Sequence, residues 1–201
     1  VRYGYNEAFQ RPNYSELFLA APAAAPANLA GAASLNPASA PLAPFLAPVS
    51  EHPNIASWAA GFLRDNAMAE TGALLVNMNR AIHRTFKHAA RHAKGIQDPV
   101  ETLGLASGSC RDVAMLMIAG LRSLGIAARF TSGYLHLTDD DDAGLTGGNT
   151  HAWVQAYVPG PGWIDFDPSS GAVGSQNLVR VAVVHDPREA IPLQGTWIGG
   201  E

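Results

Sequence analysis

Between Val113 and Leu124 the chain is apolar around almost the whole circumference of a helix, and a helix with no polar face has to be enclosed by other elements on every side. This segment fixes the centre of the fold. Gly125 supplies a left-handed stop after it, and Ser109 is a good N-cap before it, with Asp112 at the third helical position completing a variant capping box. The chain's single cysteine, Cys110, therefore falls at the first turn of the central helix. Unpaired backbone N–H groups and the positive end of the helix dipole at that position favour thiolate over thiol.

Other helical signals precede this segment. A short helix is expected over Ile55 to Asp65. A longer one is expected from Ala73 to about Ala93, where Leu75, Met78, Ile82, Phe86, Ala89 and Ala93 recur at steps of three and four and Arg80, Arg84, Lys87, Arg91 and Lys94 line the other side. After Ile126 the pattern changes to strands: Ala128 to Leu137, His151 to Val158, Trp163 to Asp167 and Asn177 to Val184. An acidic loop from Asp139 to Gly148 and the turn Pro159-Gly160-Pro161-Gly162 separate them. Helices followed by neighbouring strands give an α+β fold, helices packed on an antiparallel sheet, rather than alternating parallel units.

The first 50 residues differ in composition. Ala and Pro dominate from Ala20 to Val49, which reads as an extended arm, and the aromatics between Arg2 and Leu19 suit strands left from an upstream β-domain. Residues 51–201 are then the globular domain, which carries Cys110. With 201 residues, 47% hydrophobic and 15% charged, the chain can bury a full core. A net charge of −4 gives no general attraction for nucleic acid or anionic membrane, and no apolar stretch approaches a membrane span. One cysteine permits no internal disulfide and suits a reducing cytoplasm, the expected location. The chain opens at Val1, so what precedes it stays open.

Downstream of Cys110, His151 supplies a candidate base, and Asp165 and Asp167 are candidate orienting carboxylates. Hairpin parity separates the two. With Pro159 to Pro161 as a three-residue loop, Val158 faces Gly162, Trp153 faces Asp167 and His151 faces Ser169. Asp167 is then the same-face diagonal neighbour of His151, at a Cβ spacing of roughly 7–8 Å that side chains bridge. Asp165 lies two residues further off. A two- or four-residue loop would turn Asp167 to the other face. Trp153 and Trp163 on the two strands and Tyr134 on the preceding one are candidates for shaping a substrate groove, and the tryptophans fit a cross-strand packing role better.

Other clusters suggest less. His88 and His92 stand four apart on the expected long helix, but Ala89 occupies the place of a zinc-protease glutamate and no third ligand is evident. Asp139 to Asp142 lacks the alternating ligands of a calcium loop. No metal and no cofactor is expected. Asn13-Tyr14-Ser15 fits a glycosylation acceptor only by accident.

With these residues in view, the chain resembles the transglutaminase-like superfamily, in particular its bacterial members described as candidate cysteine proteases. The matching text is Gly95 to Leu103, Gly108-Ser109-Cys110-Arg111-Asp112, Ala128 to Leu135, His151-Ala152-Trp153, Asp167-Pro168 and the tail from Val179 to Gly195. The resemblance implies a papain-like core with Cys110 as nucleophile, His151 as base and Asp167 as third member. It also implies acyl transfer or hydrolysis at an amide bond through an acyl-thioester, on a peptide or protein substrate. A cysteine peptidase or amidase is the preferred expectation. A cross-linking transglutaminase and a non-catalytic peptide-binding module on the same fold are the alternatives.

Overall fold

The computed structural model describes residues 42–64, 71–91, 95–136, 149–174 and 177–191. The expected strands between Arg2 and Leu19, most of the Ala/Pro arm and the acidic loop lie outside these residues, as do His92, Asn13 and the tail beyond Ile191. The elements run α1 (Ala43–Leu46), α2 (Pro53–Arg64), α3 (Thr71–Thr85), β1 (Lys87–His88), α4 (Pro99–Leu105), β2 (Ser107–Gly108) and α5 (Cys110–Ser123). The strands β3 (Ala128–Leu135), β4 (Asn149–Val158), β5 (Gly162–Asp167), β6 (Ala172–Val173) and β7 (Leu178–Val184) follow, then a 3-10 turn at Pro187–Ala190. The larger sheet has the order β6-β5-β4-β3-β7 with every pair antiparallel.

Helix α5 is the centre that its all-round apolar sequence requires. It lies against β3 and β4 and meets α2, α3 and α4 on its remaining sides. Met117, Ile118 and Leu121 pack into one buried cluster with Phe130 of β3, Ala152 and Val154 of β4 and Phe166 of β5. Burying a side chain of that size contributes roughly 1.5–3 kcal/mol each. Helix α3 adds Leu74, Leu75, Met78 and Ile82 at the expected spacing. Gly125 takes φ +75 and ends the α5 segment.

The long helix stops eight residues short of its expected end. The sequence period continues through Phe86 and Ala89, yet the chain leaves α3 at Thr85 and Lys87–His88 pairs in parallel with Ser107–Gly108. The bonds Lys87 N–H to Ala106 O at 2.8 Å and Ala89 N–H to Gly108 O at 2.9 Å replace helical ones. Tertiary pairing overrides local periodicity here. His88 is therefore an exposed strand residue rather than a helix residue. Helix α4 had a legible start that the sequence reading passed over: Asp98 caps it by accepting from Val100 N–H at 2.8 Å, and Pro99 occupies the first helical position.

Candidate active site

Two strands and one helix end bring the site together. Cys110 is the first residue of α5 and is half-buried. Its place is fixed by Asp112, which is fully buried and reaches back along the helix. The Asp112 carboxylate accepts from Ser109 N–H at 2.9 Å, Ser109 Oγ–H at 2.8 Å and Gln97 N–H at 2.7 Å. Arg91 Nε lies 3.0 Å from the same carboxylate, in ion-pair range though its N–H is not aligned on the oxygen. Gly108 makes room for this arrangement, since a β-carbon there would lie 2.8 Å from Asp112 Cβ. The short β1–β2 pair ties this segment down immediately before the cysteine.

On the sheet, β4 and β5 pair in the register that a three-residue loop requires, with Val158 opposite Gly162 and Val154 opposite Phe166. His151 Nε2 then lies 2.9 Å from Asp167 Oδ2, with side chains 12% and 2% exposed. With Nε2 committed to the carboxylate, Nδ1 is the ring nitrogen left for a thiol.

Burial opposes a charge on the His151 ring, but the hydrogen bond to Asp167, the neighbouring Cys110 thiol and the negative charges of both outweigh it and raise the pKa to about 10. Burial likewise works against ionised Asp167, yet the hydrogen bond and charge of His151, with the hydroxyls of Ser169 and Ser170, bring its pKa down to about 2. Both shifts favour the imidazolium–carboxylate form of the pair. Arg111, next to the cysteine, is committed elsewhere: its guanidinium donates to the carbonyls of Pro187 and Ala190 and lies 5.0 Å over the Phe130 ring.

The other carboxylate has separate work. Asp165 Oδ1 accepts from Trp153 Nε1–H at 2.7 Å and from Gln155 Nε2–H at 2.8 Å. Trp153 is fully buried, stacked 6.2 Å from the His151 ring, so it presents no face to a substrate and supports the imidazole from within. Trp163 pairs with Tyr157, at the opposite end of β4 from His151, where it packs against Phe45 and under the Arg129 guanidinium. Tyr134 is 46% exposed, between Thr150 and Val179 on the neighbouring strands. Among the described residues no group of three or more His, Cys, Asp or Glu side chains is placed to hold a metal ion.

Sequence reasoning did not single out Gln97, Arg91 or the two serines after Asp167-Pro168. For the serines a signal existed: a hydroxyl two or three residues after an aspartate commonly bonds back to it in a turn. Gln97 and Arg91 carry none, because they reach Asp112 across the fold.

The chain belongs to the transglutaminase-like superfamily, whose core model matches residues 58–168 and thus spans Cys110, His151 and Asp167. The Mycobacterium leprae protein ML0607 is 36% identical over 109 residues, 54% of this chain and 37% of that protein. Protein YebA of Bacillus subtilis is 36% identical over 72 residues, 32% of this chain and 10% of its own length. A candidate cysteine protease from Cytophaga hutchinsonii superposes with a TM-score of 0.60 at 25% identity, covering 79% of this chain and 51% of that one. The periplasmic domain of TgpA from Pseudomonas aeruginosa shares the fold, with a TM-score of 0.50 at 24% identity over 69% of this chain and 49% of that one. The chain spans well under half the length of these curated relatives.

Proposed function

We propose that the protein is a thiol enzyme of the cysteine peptidase or amidase type, with Cys110 as nucleophile, His151 as base and acid and Asp167 as the orienting carboxylate. The observation that carries this reading is the buried contact between His151 Nε2 and Asp167 Oδ2 at 2.9 Å, beside a helix that begins at the chain's one thiol. Binding alone gives no reason to bury an imidazole on a carboxylate and leave its second nitrogen beside a sulfur.

In the proposed reaction the Cys110 proton already rests on His151 Nδ1 before substrate arrives, and the thiolate attacks the carbonyl carbon of a peptide or side-chain amide. A carbon–sulfur bond forms as the carbonyl electrons move onto oxygen. The backbone N–H of Cys110 is one donor to that oxyanion, a contact worth about 3 kcal/mol of barrier in such sites. Collapse breaks the carbon–nitrogen bond, the amine leaves with the proton from Nδ1, and an acyl-thioester remains. Water, deprotonated by His151, then releases the acid and restores the thiolate. An amine in place of water would make the same intermediate a cross-linking one. A peptide or protein substrate fits the likeness to a candidate cysteine protease. The chemistry needs a reduced thiol, as a reducing cytoplasm keeps it.

The test is to incubate the protein with a peptide library and a labelled primary amine and read products by mass spectrometry, beside Cys110→Ser. Hydrolysed peptides that vanish in the variant are expected. Amine-linked products would move the reading to a transamidase. A Cys110→Ser variant as active as wild type would overturn it.

A further inference from the structure

Asp167 receives more donors than an imidazole's partner needs. Its Oδ2 accepts from His151 and from Ser170 Oγ–H at 2.7 Å, while its Oδ1 accepts from Ser169 Oγ–H at 2.6 Å and Ser169 N–H at 3.0 Å. The terminal torsion of an aspartate is broad and roughly two-fold, so a single partner leaves the carboxylate free to swing. One hydroxyl on each oxygen removes that freedom. The turn that carries the serines is itself held: Gly171 N–H donates to Asp167 O at 2.7 Å, and α3 reaches it through His83 Nδ1, 2.9 Å from Ser169 O. Asn79 Nδ2–H donates to Ala172 O at 3.0 Å just beyond. Gly171, at φ +76, also leaves room for the His83 ring, which a β-carbon would approach to 3.0 Å.

We infer that Ser169 and Ser170 are positioning residues of the triad, a hydroxyl clamp that fixes the plane of the Asp167 carboxylate so that Oδ2 stays aimed at His151 Nε2. The inference rests on the triad reading above. A specific failure accompanies loss of the clamp. With Ser170 lost and Ser169 kept, a carboxylate that swings away leaves the ring to Ser169 Oγ, a neutral oxygen 3.5 Å from His151 Nε2, and with both serines lost nothing holds the carboxylate to the ring. A neutral partner stabilises the imidazolium less than a carboxylate does, and the thiolate that depends on it becomes scarcer at low pH. Serines that merely shaped the turn would affect folding and leave the acid limb of reactivity in place.

The experiment measures the rate of Cys110 alkylation by iodoacetamide between about pH 4 and pH 9, with the thermal midpoint recorded in parallel. It compares wild type with Ser169→Ala/Ser170→Ala, the single variant Ser170→Ala, Ser169→Thr/Ser170→Thr and Asp167→Asn. The double alanine variant is expected to react about tenfold more slowly at neutral pH, the scale of lost hydrogen bonds to a charged group, with its acid limb moved to higher pH. Threonine should restore both, and Ser170→Ala should shift the limb in the same direction by less. Because Ser170 is exposed, that single variant keeps the test open if the double variant does not fold. Serine variants with an acid limb unchanged beside a strongly impaired Asp167→Asn would overturn the clamp and leave the triad standing. An Asp167→Asn profile identical to wild type would overturn the triad, and the clamp with it.

Discussion

Gly133 stands directly opposite His151 across β3 and β4, and it does so at a bulge, where the pairing of β3 with β7 shifts register between Ser132 and Gly133. A β-carbon at Gly133 would land inside the Val179 carbonyl group and 3.0 Å from the Trp153 ring. The constraint is steric, and both obstacles are fixed: one is backbone and the other a fully buried indole. Bulges of this kind re-aim side chains beside functional sites.

Gly133→Ala is therefore expected to lower stability by about 3 kcal/mol, at the upper end of the usual cost of overpacking, because neither neighbour can rotate away. It should also slow Cys110 alkylation by displacing the strand that carries His151. Urea unfolding followed by fluorescence gives the first quantity, and an unchanged midpoint would show that β3 and β7 can part there without penalty.

Asp112 holds in place the helix turn that begins at Cys110. Asp112→Ala strands the N–H groups of Gln97 and Ser109 and leaves Arg91 without its carboxylate. Each abandoned donor costs about 1–3 kcal/mol when buried, and Arg91 is partly solvated, so a loss of roughly 2–4 kcal/mol is expected. The check is a fall in urea midpoint with little change in slope, alongside slower Cys110 alkylation. A stability within about 0.5 kcal/mol of wild type would mean that water replaces the carboxylate.

The two carboxylates of β5 should separate cleanly by variant. Asp165→Ala removes the acceptor for buried Trp153 Nε1–H and for Gln155, so stability should drop by about 2 kcal/mol while the pH dependence of Cys110 alkylation stays as in wild type. Asp167→Ala should change that pH dependence. Should both variants alter it alike, the network through Trp153 would be part of the reactive unit.

The central helix, its cap and the pairing of His151 with Asp167 were legible because each is set by local rules: all-round apolarity, capping chemistry and the parity of a short hairpin. One loop length fixed the β4–β5 register and with it the choice of Asp167 over Asp165. The end of α3 was not legible, since Lys87 and His88 are drawn out of helical period by pairing with Ser107 and Gly108, which stand far along the chain. Gln97 and Arg91 were hidden for the same reason. Their role exists only where Asp112 is buried between them, and nothing in their own neighbourhood announces it.

Titration of the buried pair should be visible in stability as well as in reactivity. His151 has its pKa raised from 6.5 to about 10 in the folded chain, so the stability it contributes is fully present below about pH 6.5 and is lost as pH rises through 10. Asp167 has its pKa depressed from 3.8 to about 2, so its contribution is present above about pH 3.8 and is lost as pH falls through 2. Both are complete only between about pH 4 and pH 6.5. The difference between wild type and His151→Gln isolates this contribution. The stability of wild type relative to that variant should be steady from about pH 4 to 6.5 and then decline towards pH 10, by at most about 1.4 kcal/mol per pH unit for one proton. Thermal unfolding across that range measures it. A difference that stays level from pH 6 to pH 10 would mean the folded imidazole is neutral, and the thiolate and imidazolium could not then exist as a pair before substrate arrives.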